Sequence, residues 1–542
     1  MSTIIQMMFL LSKKIKGFVR KITSTFPITC VDCVDEDSLI NMSIEGNCYQ
    51  DGEPTYDNPI EIQSVGEKTA NMLVYPYSHT TKTDNGITFT DNGDGSITAN
   101  GTATASTTFA IFSIEDIPDK TQKYYLSGCP SSGSYYRCIV VEYLYNNNWM
   151  GEQRDVGKGL LIDLSSLGYE VDKIKIYIRV ANGNTADNLL FKPMLIEADT
   201  EVDGYEPYGY KVPIVVETEN LFVKGIPTAG FWFSYVNGEG VRGFGSSVST
   251  STKVKELFKP NHTYTVSFDM ECIAKGNIGT IASRTYGLSV YDSTNKRHII
   301  NGLYTGTEMS IGEKRHMTAT STIPSNYEGN TYNFYYYTGR YVDENGAVSD
   351  YGTIRFTNIK IEEADHETEP IVSNVYLKEP LRGINAYTDK LDVKKGECTR
   401  NIKTTQLDKN TGFLWRVLSS NTPMITYKLS DAYSPEIYSD IVISSHYLTN
   451  RHDAYYGRSN AVFLDTTKYL RIYHEGITTL DEYKELLGDE VIDVAYVLAE
   501  PITEKIIAPN IPTFKNGTTY SIATTVQPLS GTVEYYSTTK GE

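Results

Sequence analysis

The sequence predicts a mainly β protein: tandem jelly-roll or β-sandwich domains, a short N-terminal helix and a mixed third domain. Three observations carry this. Short segments alternate polar and apolar residues with a period of two, the mark of a sheet with one core face and one wet face. Asn-Gly and Asp-Gly turns punctuate them. A domain-sized unit occurs twice. The composition agrees, with 42 Tyr against 18 Phe and 3 Trp. Tyrosine suits half-buried strand surface and keeps a polar tip.

The clearest strands are Lys173-Ile174-Lys175-Ile176-Tyr177-Ile178-Arg179-Val180 and Thr263-Tyr264-Thr265-Val266-Ser267-Phe268. Asp91-Asn92-Gly93-Asp94-Gly95 separates Ile87-Thr88-Phe89 from Ile97-Thr98-Ala99 and reads as a hairpin turn. The duplication appears at both ends of the unit. Thr69-Ala70-Asn71-Met72-Leu73-Val74 resembles Thr218-Glu219-Asn220-Leu221-Phe222-Val223. Phe191 to Asp199 resembles Phe356 to Asp365, with Ile196 set against Ile361. The expected organisation is 1–66, a helix and attachment segment; 67–210 and 216–370, two sandwich modules; 374–500, a mostly β domain; and 501–542, a β segment.

One helix has full signals. Thr479 caps, Glu482 completes a capping box, and Gly488 ends it. A second is expected at the N-terminus, with Ile4, Met8, Leu11, Ile15, Phe18 and Ile22 at helical spacing beside Lys13, Lys14, Lys16, Arg20 and Lys21. Docking into a larger assembly is its expected use; lying on a membrane surface is the alternative. Leu414–Val417, Val494–Leu498, 519–523 and 532–536 read as strands, the last two pairing within their own domain or with a neighbouring chain.

The chemistry is mostly absent. Net charge is −18 with a pI near 5.0, which disfavours nucleic acid as a partner. The seven cysteines (30, 33, 48, 129, 138, 272 and 398) are too few and odd in number for a disulfide scaffold, and one CxxC without a second pair makes no zinc site. Gly151 to Gly157-Lys158-Gly159 imitates a phosphate loop, but its glycines are one residue too far apart and Gly159 replaces the hydroxyl. The turn at 91–95 lacks calcium-loop spacing. The expectation is therefore no catalysis, no cofactor and no metal, although such sandwiches are compatible with a structural calcium held by loop carbonyls. Aromatic clusters are the binding candidates: Tyr135, Tyr136 and Trp149 near Tyr145; Trp232 and Tyr235 with Phe231 and Phe233; and Tyr336 in the run 335–337. Each ring is weighed against core packing, the commoner fate.

Further motif segments are Gly46 to Ile62, Gly66-Glu67-Lys68-Thr69-Ala70-Asn71-Met72, Asn85 to Thr102, Tyr125-Leu126-Ser127-Gly128-Cys129-Pro130, Phe191 to Leu195, Val375 to Gly383 and Tyr496 to Ile502. As a set they resemble minor structural proteins at the tail tip or baseplate of phages and prophages of Gram-positive bacteria. The resemblance covers about residues 41–535. It implies carbohydrate-binding-like modules, a place in the virion tail after assembly in the host cytoplasm, other tail or baseplate proteins and host cell-surface polysaccharide as partners, and a homotrimer. It brings no catalytic residues. The competing functions are a tail-borne glycan depolymerase, which needs two carboxylates in a groove, and a bacterial surface adhesin, which needs an export signal and a wall anchor.

Overall fold

The computed structural model describes residues 18–537 apart from 26–27, 31–38, 47–52, 63, 79–80, 115–120, 223–228, 231–232, 237–238, 243–247, 250–257, 276–279, 293–296, 327–331, 419–420, 439–440, 458, 507–510, 513–517 and 523–529. The protein is mainly β, with antiparallel sheets packed in β-sandwich fashion.

In the first module, alternation becomes burial directly. Lys173–Val180 buries every second residue, and Ile139, Val141 and Tyr143 of the neighbouring strand share its core face. The sheet runs Asn148–Asp155, Arg137–Tyr145, Lys173–Val180, Thr107–Ile114. It packs on a second sheet containing the hairpin Ile87–Asp91 and Ile97–Thr102. Phe89, Phe109 and Phe191 are fully buried between them, each contributing about 2 kcal/mol of apolar burial. The 91–95 turn forms as expected, and tyrosines hold it. Tyr75 donates to Asp91, Tyr77 to the Gly95 carbonyl (2.8 Å) and Tyr205 to the Asp94 carbonyl (3.0 Å).

The second module centres on the long strand Thr263–Ala274, flanked by Lys314–Thr322 and Thr353–Glu362. Its face expected to be wet is covered. Thr265 and Ser267 are buried, and the Thr265 hydroxyl bonds Thr320 (2.7 Å) and the Ala364 carbonyl (3.0 Å). Protein groups, the Thr320 hydroxyl and the Ala364 carbonyl, thus satisfy the Thr265 hydroxyl on that face.

The duplicated asparagine is a clasp. Asn71 is buried; its Oδ1 accepts from Leu73 N (3.1 Å) and Leu195 N (3.2 Å), and its amide donates to the Pro193 and Glu206 carbonyls. Asn220 Oδ1 accepts from Phe222 N (3.0 Å) and Ile361 N (3.1 Å), and its amide donates to the Ile359 carbonyl (2.8 Å). Each side chain joins the opening of its module to the closing strand. The clasp also corrects the alignment: Leu195, not Ile196, is the counterpart of Ile361. The second copy absorbs the extra residue in an irregularity of the Thr353–Glu362 strand, where Asn358 adopts φ 53°.

The third core lies between a sheet containing Ile492–Lys505 and a five-stranded sheet containing Pro423–Lys428 and Tyr469–Tyr473. The helix Leu480–Leu487 carries the expected capping box and ends at Gly488. A second helix, Arg451–Tyr456, is capped by Asn450 and closed by Gly457 in the left-handed region. It is too short for periodicity to reveal.

A fourth core has no counterpart in the sequence reading. The segment after the first module, Tyr210–Thr218, is a strand paired with Ile371–Leu377, the segment after the second. Thr518–Ile522 pairs on the other side of Tyr210–Thr218. Ile44, Val65, Val212, Ile214, Val375, Leu391 and Cys398 pack together around them. The segments around the expected module boundaries are thus a hub from which both modules emerge. The boundary expected at 500/501 falls inside Ile492–Lys505. Both C-terminal strands pair within the chain, Ser530–Ser537 with Phe18–Thr25 and Leu39–Glu45.

The expected N-terminal helix needs correction at its end. Residues 1–17 lie outside the described residues, but Phe18–Thr25 is a strand. Its β-branched Val19, Ile22, Thr23 and Thr25 favour extended backbone, and the partner strand supplies the ladder. The 53–62 segment straps the third domain: Ile60 N donates to the Ser445 carbonyl (2.8 Å), and Tyr56 donates to the Leu486 carbonyl (2.9 Å).

Under that strap sit two histidines. Tyr56 packs edge-on to His474 (5.1 Å) and beside His446 (5.6 Å). Burial pushes both imidazoles below the usual histidine range, against the opposing pull of Glu490 and Asp493 on His446 and of Asp57 and Glu475 on His474. In the second module His316 is pushed up instead, by hydrogen bonds to Glu367 and Asp269. The signs differ. Lowered histidines contribute stability that is full above the unfolded value near 6.5 and is lost as pH falls through their folded values. A raised histidine contributes stability that is full below about 6.5 and is lost as pH rises through its folded value. Calorimetry at pH 5.0 and 7.5 should therefore move the third-domain transition down at the lower pH relative to that of the second module. His446→Gln/His474→Gln should shrink the third-domain shift; an undiminished shift assigns it to other groups.

Candidate functional site

The outer face of the first module's four-stranded sheet is a polar plate. Register places Glu152 and Arg154 on its edge strand, Glu142 and Val140 on the next, and Lys175, Tyr177 and Arg179 on the third. Val140 and Cys138 lie on this face yet are fully buried, so larger side chains roof them. Burial pushes the Cys138 thiol up to about 11, leaving it unreactive at neutral pH. Burial, with Glu142 and Glu152 nearby, pushes Tyr177 up to about 12.

The loop before Arg137–Tyr145 supplies the roof. Gly128 begins it at φ 106°, where a Cβ would sit 1.8 Å from the Lys192 carbonyl oxygen, so only glycine fits. Ser134 and Arg137 exchange backbone hydrogen bonds, turning the chain so that Tyr135 comes over Arg154. The guanidinium carbon lies 3.6 Å from the ring centroid. The same guanidinium donates to the Tyr135 carbonyl (3.0 Å) and to Glu152, which Arg179 approaches at 3.7 Å. Tyr136 meets Tyr135 edge-to-face at 5.5 Å. The two rings remain 60% and 54% exposed, so they form an aromatic corner whose underside is fixed and whose outer side is open.

Of the sequence-predicted residues, the structure joins Tyr135 to Tyr136 but not to Trp149. Trp149 is 61% exposed at the far end of the hairpin, opposite Leu144. Five residues of extended strand, roughly 16 Å, separate it from Arg154. Trp232 lies outside the described residues. Tyr235 is in Phe233–Val236 opposite Gly240, and Tyr336 is opposite Leu288; their side chains lie outside the description. Sequence reasoning missed Arg154, Glu152 and Arg179. The alternation of Lys173–Val180 could have flagged Arg179 as outward-facing; the meeting of Arg154 with Tyr135 depends on the loop.

The phosphate-loop imitation is filled from within. The amides of Gly157 (2.9 Å), Lys158 (3.1 Å) and Gly159 (2.8 Å) all donate to Asp155 Oδ1, and Cys129 N donates to its Oδ2 (2.9 Å). A carboxylate already occupies the ring of donors an anion would need. A depression of about 290 Å³ lined by Ser127, Pro130, Lys192 and Tyr205 holds a single charged side chain, Lys192. Among the described residues no group of three or more His, Cys, Asp or Glu is placed to hold a metal ion. Cys129, Cys138, Cys272 and Cys398 are buried free thiols.

No family model matches this chain, and no curated protein matches it in sequence. Solved structures similar to it include the infectious bursal disease virus Gx strain (10% identity, 97% of this chain, 80% of that chain, TM-score 0.10). They also include the T13 particle of that virus (9% identity, 97% and 78%, TM-score 0.10). At those TM-scores the likeness carries no argument.

Proposed function

We propose that this protein is a structural component of a phage tail tip or baseplate that binds host cell-surface polysaccharide, with its two jelly-roll-like modules presented from the hub. The observation supporting binding is the Tyr135–Tyr136 corner backed by Arg154. A ring held in place from below loses little freedom when a sugar's C–H face packs on its outer side, so little of the contact energy is lost to ordering. A homotrimer, anchored by other tail proteins, would multiply a weak single-site contact through effective concentration. The assignment to a tail rests on the sequence resemblance.

The test is binding of the purified, labelled chain to a panel of cell-wall and capsular polysaccharides from Gram-positive bacteria. Tyr135→Ala/Tyr136→Ala should weaken binding to the recognised polymer by about thirty-fold, the equivalent of roughly 2 kcal/mol for a small hot spot. Arg154→Met, which leaves both rings but removes their support, should weaken it less. If the double variant keeps its fold and binds like the parent chain, the corner is not the site. Release of sugar fragments from the polymer would favour the depolymerase instead.

A further inference from the structure

The five-stranded sheet of the third domain has one face in the main core; on the other, Met424, Ala461, Phe463 and Tyr473 are buried with Ala454 of the Arg451–Tyr456 helix, and beside that cluster runs a strip of rings and cations. Register puts Arg416, Thr426, Lys428, Tyr469, Arg471 and Phe463 on that outer face. The Tyr469 ring has the Arg416 guanidinium at 4.6 Å, the Lys428 ammonium at 4.7 Å and Arg471 at 5.6 Å from its centroid. Further along the same face Arg451 lies 4.6 Å from the Tyr438 centroid, and Tyr438 packs edge-on to Phe463 at 5.8 Å. The strip therefore repeats one unit, a ring with cations, on either side of the Phe463–Arg471 pair.

Its charge is not neutralised locally. Arg471 is bound to Asp465, whose other oxygen accepts from Thr467 N and Tyr469 N, so that carboxylate is used up. Among the described residues, Arg416, Lys428 and Arg451 have no carboxylate at ion-pair distance. Arg416 and Lys428 are exposed. The Arg471 side chain is only 9% exposed, and its Nη1 is buried without a hydrogen-bond acceptor. A floor with an unsatisfied donor and a rim with three free cations stand out on a chain of net charge −18.

We propose that this face binds an anionic polysaccharide, one whose sugar rings carry carboxylate or phosphate groups, with the oxyanion between Arg416 and Lys428. Repeated ring-plus-cation units match a polymer that repeats a ring and an anion. An acidic peptide is the competing occupant, since arginine clusters also take acidic motifs; the aromatic rings interleaved with the cations offer packing surface for the flat faces of sugars and favour the polysaccharide. Arginine and lysine differ usefully here: Arg416 can bridge two oxygens of one group, while Lys428 acts as a point charge. This site is separate from the Tyr135–Tyr136 corner and selects by charge.

The experiment is calorimetric titration of the full chain with four probes: hexagalacturonate, phosphorylated pentamannose, fully methyl-esterified hexagalacturonate and hexa-aspartate. At least one of the first two should bind, more weakly as salt rises. R416Q/K428Q should weaken it at least ten-fold with no change in melting temperature, R451Q at least three-fold, and Tyr135→Ala/Tyr136→Ala not at all. The methyl ester should bind at least ten-fold more weakly than its acid. Which acidic probe binds distinguishes carboxylate from phosphate. The proposal is overturned if neither acidic sugar binds, if R416Q/K428Q binds unchanged, or if hexa-aspartate binds as tightly as the sugars and is lost in the same variant. The last result would make the strip a contact for an acidic protein segment.

Discussion

Replacing Arg400 by methionine is expected to lower the stability of the hub and third domain by about 4 kcal/mol, the cost of leaving a buried charge without its partner. Arg400 is 7% exposed and Asp389 is fully buried. The guanidinium reaches Asp389 at 3.3 Å, Glu504 at 2.6 Å, and the carbonyls of Pro380 (2.8 Å) and Glu379 (2.6 Å). One side chain thus ties the segment leaving the second module to two strands of the third domain. Asp389 also accepts from the amides of Arg382, Asn401 and Ile402. Burial nonetheless pushes its carboxyl above the usual range, against the pull of Arg400 and those amides. An acid whose folded value is raised is favoured in its protonated form, so its contribution is full below the unfolded value near 3.9 and is lost as pH rises through the folded value. Without Arg400 the folded value rises further. The deficit of Arg400→Met relative to the parent should therefore be smaller near pH 4.5 than at pH 7.5. Asp389→Asn/Arg400→Met should recover part of it at neutral pH, because the charge is gone while an acceptor remains for the amides. Urea unfolding at both pH values measures this; a deficit below 1 kcal/mol at pH 7.5 would mean water or Glu504 replaces the pair.

Alanine at Asn71 should cost its module about 3 kcal/mol, and alanine at Asn220 should cost its own module less. Asn71 makes four hydrogen bonds and is 3% exposed. Its removal strands two amides and two carbonyls near the meeting of the first and last strands, and each buried polar group left unpaired costs about 1–3 kcal/mol before relaxation or entering water offsets it. Asn220 makes three such bonds and is partly buried, so its loss should be the smaller. Aspartate cannot substitute, since it keeps the acceptor but not the amide donor. Because the two clasps close different modules, the effects should appear in different calorimetric transitions and add in the double variant. If Asn71→Ala moves the second module's transition equally, the modules do not unfold independently.

How much of this was legible follows from the range of each interaction. Strands such as Lys173–Val180, the 91–95 turn and the capped helix Leu480–Leu487 are written in residues within one turn or one strand of each other. The duplication was visible because the clasp needs asparagine in the same place twice. Its purpose was not, since Asn71 and Leu195 meet only in the folded chain. Phe18–Thr25 misled because its residues also fit a helical period, and the strand that claims it lies more than five hundred residues away.

Local residue pattern specifies the β class, several strands and the 91–95 turn, the repeated unit and the surplus of aromatic rings. Period-two alternation and turn chemistry are local, so one segment suffices to reveal them. Only packing settles which faces stay wet, that the segments at the module boundaries form a core, and that Trp149 stands apart from Tyr135 and Tyr136. It alone brought Arg154 beneath one ring and Arg416 and Lys428 beside another. A side chain's outward direction follows from its own strand; what covers it, or leaves it open to a ligand, depends on segments that only packing brings together.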